Sequence, residues 1–122
     1  MPLTPTDRPP MGMGLPQVTA VFCMVDGGTA YAARNRSEAK LVNAEIMAVM
    51  RNALRQIPGG YFVRQQDGDL KYILAFSFPE AALLWCIVVQ ECLLYVDWPL
   101  SALRQWGTIR DDDGQLVFRG PR

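Results

Sequence analysis

Two acidic, glycine-containing loops carry the side chains with the clearest chemical potential. They are Asp26-Gly27-Gly28 and Asp67-Gly68-Asp69. Hard divalent cations prefer carboxylate oxygens, and two carboxylates at neighbouring strand ends are what a two-metal phosphoryl-transfer site needs. The glycines would also let backbone N–H groups approach a phosphate. The same residues are typical of plain turns, because Asp and Gly tolerate positive φ, so both interpretations stay open.

The composition excludes several other chemistries. None of the 122 residues is histidine, which rules out Ser-His-Asp triads, Cys-His dyads and histidine zinc sites. Twelve basic and twelve acidic residues cancel, so no net field attracts nucleic acid or anionic lipid. Cys23, Cys86 and Cys92 lie in apolar runs without CxxC spacing, which predicts reduced structural thiols.

The elements that must position the two loops follow from the hydrophobic pattern. An apolar run over residues 17–25 predicts a central strand, covered on both faces, that ends at Asp26. Apolar residues spaced by three and four predict an amphipathic helix over residues 37–57, capped by Ser37. The Asp67-Gly68 pair predicts a hairpin turn. The remaining predicted elements are strands over residues 61–65 and 71–78, a helix over residues 79–96 and a short strand over residues 115–118.

This order of elements predicts an α+β domain over residues 17–122, with a mostly antiparallel sheet and both helices packed on one face. Residues 1–16 are rich in proline and glycine, which predicts a flexible lead without the pattern of a secretory signal. The longest apolar run covers residues 81–89, against about 20 residues for a membrane span. We therefore expect no membrane insertion by this chain and a cytoplasmic location. The chain can equally be the cytosolic part of a larger membrane protein.

An apolar run that ends in Asp26-Gly27-Gly28, the loop QDGD at residues 66–69 and a helix followed by DWP at 97–99 come in an order that resembles class III adenylate and guanylate cyclase catalytic domains. The run VTAVFCMVDGGT at residues 18–29 is similar to the opening strand and loop of this family. The later matches are GGY at 59–61, QDGD at 66–69, LAF at 74–76, an alanine-rich helix with Trp85 and VQE at 89–91, and DWP at 97–99. FRGPR at residues 118–122 resembles the lead-in to the family's next strand. The resemblance covers residues 17–122.

The resemblance implies a ferredoxin-like fold that is incomplete relative to the full cyclase domain. It also implies a dimer that binds ATP or GTP in the interface cleft. In this family two aspartates hold two Mg²⁺ or Mn²⁺ ions, which polarise the α-phosphate and activate the ribose 3′-hydroxyl. The nucleotide contacts that the resemblance carries over to this sequence are Gly27, Gly28, Thr29, Gln65 and Gly68.

The sequence departs from the family at the metal ligands. The first metal aspartate aligns with Met24, whose thioether is a poor ligand for a hard cation. Asp26 shares a strand face with Met24 but lies about 6–7 Å farther along the strand. The second metal aspartate aligns best with Asp69, and Asp67 is the competing assignment. Gln65 occupies the purine-selecting position, where the family has lysine or glutamate.

The asparagine and arginine that the family uses in catalysis align beyond Arg122, so the resemblance assigns no catalytic residue to this chain. We expect the chain to be the first part of a longer domain and to be inactive alone. Its expected role is in cyclic-nucleotide signalling, as half of a homo- or heterodimer with another cyclase-like domain. An open sheet edge would favour such pairing. The alternative is a non-catalytic interaction module that keeps only the cyclase fold.

Two further features have a structural and a functional interpretation. Arg34, Arg36 and Lys40 form a basic cluster near the start of the first predicted helix, and either lie in solvent or contact a triphosphate. The three tryptophans are predicted to be core and interface anchors rather than platforms for base stacking.

Overall fold

The computed structural model describes residues 17–66 and 69–122. The predicted lead, residues 1–16, and the predicted Asp67-Gly68 turn lie outside the described residues. No helix in the described ranges is long and apolar enough to cross a membrane. The elements in chain order are β1 (Thr19–Met24), α1 (Gly28–Arg34), α2 (Arg36–Gln56), β2 (Gly60–Gln66), β3 (Lys71–Phe76), α3 (Pro79–Leu93), α4 (Leu100–Trp106), β4 (Thr108–Arg110) and β5 (Leu116–Arg119).

The main sheet is antiparallel, with the spatial order β1-β3-β2. The prediction that the first strand is central and doubly covered is wrong, because β3 lies between the other two strands. Within the described residues β1 is an edge strand, and its side chains alternate between half-buried and exposed positions. Its apolar run instead reflects two apolar faces, since Phe22 and Met24 are 75% and 66% exposed.

Helices α2 and α3 pack on one face of this sheet, which we call the inner face. Tyr72, Leu74 and Phe76 of β3 point into it and are buried. The Tyr72 hydroxyl donates a 2.7 Å hydrogen bond to Asn43 Oδ1 on α2, and the Phe76 ring lies 5.6 Å from the Trp85 ring on α3. These contacts confirm the α+β prediction, and the order of elements is that of an incomplete ferredoxin-like fold.

The three tryptophans are confirmed as core anchors. Each ring is buried, and each indole N–H donates to a backbone carbonyl, as a buried tryptophan requires. The acceptors are Met50 O for Trp85 at 3.1 Å, Leu93 O for Trp98 at 3.0 Å and Asp26 O for Trp106 at 2.6 Å. The indoles therefore fix α3 to α2, the end of α3 to its following loop, and α4 to the end of β1.

Two short helices, α1 and α4, are absent from the sequence-based prediction. Each has seven residues, which is too short for a hydrophobic period to stand out. Helix α2 begins at Arg36 rather than being capped by Ser37, and only Asn35 separates it from α1. The Asn35 side chain makes no cap bond and instead donates to Tyr31 O at 3.2 Å, so it ties α2 back to the end of α1.

The last two strands form a separate antiparallel hairpin. The predicted strand over 115–118 is confirmed as β5, shifted by one residue, whereas β4 was not predicted. Arg119 Nη1 donates to Leu94 O and Val96 O at 3.2 and 2.6 Å, which holds the hairpin against the end of α3. Gly120 lies so close to the Trp98 ring that a Cβ there would be 2.4 Å from Cδ1.

Candidate functional site

The candidate site lies where the end of β1 is next to the start of β3. Met24 pairs with Lys71, and the Val25 N–H donates a 3.1 Å hydrogen bond to Leu70 O, which extends the same register by one residue. Val25 precedes Asp26 and Leu70 follows Asp69, so this hydrogen bond joins the chain neighbours of the two aspartates. The Asp26 residue is exposed and Asp69 is half-buried.

The backbone of Asp26 is held on both sides. Its carbonyl accepts the 2.6 Å hydrogen bond from Trp106 Nε1, and its N–H donates to Arg122 O at 2.7 Å. Trp106 is itself fixed by the Tyr31 ring, at 4.8 Å between centroids, and the Tyr31 hydroxyl lies 2.6 Å from Ser101 Oγ. Helix α4 thus positions Asp26, a role that no sequence motif indicated.

Gly27 and Gly28 have structural reasons to be glycine. Gly27 has a φ of 71°, in the left-handed region that disfavours other residues. A Cβ on Gly28 would lie 3.1 Å from Val25 Cβ and 3.2 Å from Leu70 Cβ, so only glycine fits this approach without a shift. Leu70 is buried and has a φ of 53°, which is rare for a bulky residue. Backbone conformation and close packing therefore both restrict which residues this turn accepts.

Met24 lies on the opposite, outer face of the sheet. It shares a groove of about 280 Å³ with Phe22, Arg64, Lys71 and Ile73. Met24 and Lys71 are direct cross-strand partners, and Phe22 and Arg64 both pair with Ile73. The position that the resemblance assigns to the first metal ligand therefore carries a thioether, in one groove with two cationic side chains.

This donor set does not fit a Mg²⁺ or Mn²⁺ pair. Hard cations require oxygen ligands, and Lys71 and Arg64 would repel a nearby metal ion. Within residues 17–66 and 69–122 no group of three or more His, Cys, Asp or Glu side chains is placed to hold a metal. Asp67 and Gly68, two of the expected site residues, lie outside the described part of the chain.

The remaining predicted nucleotide contacts are divided between two faces. Thr29 begins the exposed side of α1 and lines a cavity with Asp69. Gln65 pairs with Tyr72, whose side chain points to the inner face, whereas Met24 and Lys71 point outward. The structure therefore does not bring Gln65 together with Met24. Of the predicted basic cluster, Arg36 and Lys40 line this cavity, whereas Arg34 does not and donates a 3.4 Å hydrogen bond to Gln105 Oε1.

The cysteines take no part in this site. Cys23 and Cys86 are half-buried and Cys92 is exposed, and all three are free thiols. Burial, with a smaller contribution from nearby Cys86, raises the pKa of Cys23 to about 11. Burial also raises the pKa of Cys86. Both groups are protonated at neutral pH, which makes them poor nucleophiles.

Comparison with known proteins finds relatives among fungal adenylate cyclases. The chain is 34% identical over 114 residues to the adenylate cyclase of Mycosarcoma maydis, a match that covers 92% of the chain and 4% of that protein. It is 36% identical over 118 residues to the adenylate cyclase of Neurospora crassa, covering 92% of the chain and 5% of that protein. The adenylate cyclase of Lachancea kluyveri is 39% identical over 74 residues, covering 59% of the chain and 4% of that protein.

The chain is related to a region of adenylate cyclases. It spans only about a twentieth of the length of these relatives, and no family model and no solved structure matches it. The relationship supports the resemblance to adenylate cyclases.

Proposed function

We propose that this chain is a cyclase-like domain that lacks a metal site of its own and acts as the non-catalytic half of a pair with another cyclase-like domain. The observation that carries the proposal is the environment of Met24. Where the resemblance requires a metal-binding aspartate, the fold presents a thioether opposite Lys71 and beside Arg64. The competent partner domain supplies the metal ligands, and the names of the relatives make ATP the nucleotide proposed for the pair.

Asp26 does not replace the missing ligand in this proposal. Its backbone in the turn after β1 is held by Trp106 and Arg122, and Asp26 does not line the outer groove around Met24. Metal sites require ligand distances within a few tenths of an ångström. A carboxylate two residues farther along the chain does not meet that requirement while the two backbone hydrogen bonds are kept.

The outer face of the sheet is the surface we propose for the partner domain. Phe22 and Met24 are more than half exposed there, and they share the outer groove with the cationic pair Arg64 and Lys71. Apolar side chains clustered around charged ones are typical of protein interfaces rather than of free surface. The face lies opposite the helices, so a partner reaches it without disturbing the core.

Turnover measurements test the catalytic part of the proposal. The purified chain, incubated with Mn²⁺ and ATP, is expected to form no cyclic AMP. Mixing it with the cyclase region of one of the fungal relatives is expected to change the turnover of that region. Robust turnover by the chain alone would contradict the proposal.

Sedimentation measurements test the interface. Phe22→Glu introduces a charge at the centre of the outer face and is expected to weaken association with the partner domain at least tenfold, about 1.4 kcal/mol. Leu83→Glu is the matched control, since Leu83 is 65% exposed on α3, away from the outer face. Equal association by both variants would exclude the outer face as the interface.

A non-catalytic scaffold is the second candidate function, and the exposed surface of α3 favours it. Leu83, Leu84 and Ile87 form an apolar stripe at helical spacing, and each is more than half exposed. A scaffold role predicts that the chain leaves the ATP affinity and turnover of a cyclase partner unchanged. A paired role predicts that both depend on this chain and change in the Phe22→Glu variant, which disrupts the outer face.

A further inference from the structure

A second groove, separate from the outer face of the sheet, lies on the helical side of the molecule. It has a volume of about 650 Å³ and is formed by α1, α2 and the turn that precedes β3. We call it the α1–α2 groove. Residues at its wall include Thr29, Ala33, Arg36, Lys40, Asn43 and Asp69. Its volume is in the range of small-molecule binding sites.

The groove is a consequence of helical spacing and small side chains. Arg36, Lys40 and Asn43 recur at intervals of four and three residues, so they lie on one face of α2. The wall that faces them carries Ala32 and Ala33 of α1, whose small side chains leave the space open. The two helices meet at Asn35, which is the only residue between them.

The cationic wall has no internal partner. Arg36 and Lys40 are exposed, and across residues 17–66 and 69–122 neither side chain has a hydrogen bond or an ion pair with another side chain. Arginine binds phosphate in a bidentate geometry, and a lysine one turn away adds a second positive charge. This wall therefore suits a phosphate group.

The groove also contains polar groups that a phosphate alone would leave without a hydrogen-bond partner from the ligand. Asp69 also lines the groove, and a carboxylate offers about four acceptor positions, so it can accept from more than one donor. Asn43 uses its Oδ1 to accept from Tyr72, which leaves its NH₂ group as a donor. A ligand that carries both a phosphate and hydroxyl groups would use the cationic wall and these polar groups together.

We propose that the α1–α2 groove binds a phosphorylated sugar, either free or as part of a nucleoside monophosphate, without a divalent cation. Arg36 and Lys40 hold the phosphate, and Asp69 accepts hydrogen bonds from the sugar hydroxyls. A bound ligand would contact Asp69 and Leu70. The Leu70 carbonyl accepts a hydrogen bond from the N–H of Val25, the residue before Asp26. Occupancy of the groove is thereby connected to the end of β1.

Calorimetric titration of the full chain in the presence of a chelator tests the proposal. The probes are ribose 5-phosphate, AMP and inorganic phosphate. We expect ribose 5-phosphate and AMP to bind more tightly than inorganic phosphate. Absence of saturable binding by both sugar-containing probes would overturn the proposal, and so would equal affinity for inorganic phosphate. Tighter binding of AMP than of ribose 5-phosphate would assign the ligand as a nucleotide, and the reverse would assign it as a free sugar phosphate.

Charge-removing variants locate the binding. The double variant Arg36→Gln with Lys40→Gln is expected to raise the dissociation constant at least about tenfold. Arg55→Gln combined with Arg104→Gln is the matched control, because it removes two positive charges from exposed positions outside the groove. An equal effect of the double variant and the control would overturn the assignment to this groove.

Two further variants separate the roles of shape and of Asp69. Ala33→Leu fills the groove from an exposed helical position without changing its charge, and is expected to abolish binding while circular dichroism stays unchanged. Asp69→Ala is expected to remove the preference for ribose 5-phosphate over inorganic phosphate. Retained affinity in the first variant or retained preference in the second would overturn the proposal. None of these readouts involves metal or turnover, so failure here leaves the proposed function untouched.

Discussion

The two faces of the three-stranded sheet differ in what their apolar residues do. On the inner face Tyr72, Leu74 and Phe76 are buried under two helices. On the outer face Phe22 and Met24 have the same apolar character and remain mostly exposed beside cationic side chains. The inner face therefore determines stability. The outer face remains exposed, and it holds Met24, the position that the resemblance assigns to a metal ligand.

The largest difference between the faces is expected in stability. Trp85→Ala removes a buried ring that packs on Phe76 and donates to Met50 O, and should lower the free energy of unfolding by about 3–5 kcal/mol. Phe22→Ala, on the outer face, should change it by less than about 0.5 kcal/mol. Urea denaturation of both variants measures the contrast. Similar losses would mean that the outer face is part of the core.

A smaller effect is expected where the inner face is tightly packed. A Cβ on Gly60 would lie 2.4 Å from Phe76 Cε1 and 2.7 Å from Leu54 Cδ2, so Gly60→Ala should cost about 1–3 kcal/mol. Ala20→Leu adds more volume at an exposed outer position and should cost less than about 0.5 kcal/mol. Thermal unfolding of the pair checks this. A tolerated Gly60→Ala would show that Phe76 has room to move.

The smallest effect concerns the pH dependence of the inner face. Burial raises the pKa of Cys23 from 9.0 to about 11, so the folded state favours the protonated thiol. The resulting stability is fully present below pH 9 and is lost as the pH rises towards 11. Urea denaturation across this range should show a decrease that Cys23→Ala reduces.

Cys92→Ala is the control for that experiment, because Cys92 is exposed. It should leave the alkaline decrease as it is in the original chain. An identical pH profile for all three proteins would show that the Cys23 thiol does not contribute.

The sequence predicted the elements that have strong periodicity and missed those that depend on tertiary contacts. The α2 stripe and the apolar run of β3 fixed the fold class, because both patterns are long enough to be recognised. Helix α4 was missed since its seven residues are held in place by Trp106 and Ser101 contacts. The burial of β1 was overestimated, because an apolar run does not reveal whether its second face is covered.

The candidate site was predicted in part for the same reason. The two acidic loops were recognised from their residue types, and a hydrogen bond beyond the end of the strand register joins Val25 and Leu70, the chain neighbours of Asp26 and Asp69. The cationic surroundings of Met24 were not recognised, because Arg64 and Lys71 come from two other strands and only the register joins them. A bulge after Phe62 determines that register, and no local signal marks it.

The most direct test of the account is a Mn²⁺ titration of the full chain without nucleotide, followed by electron paramagnetic resonance. The central claim is that the chain has no metal site of its own. The account predicts that the signal of aqueous Mn²⁺ grows in proportion to the metal added, for the original chain and for Asp69→Ala alike. Saturable loss of that signal in the original chain, abolished by Asp69→Ala, would contradict it.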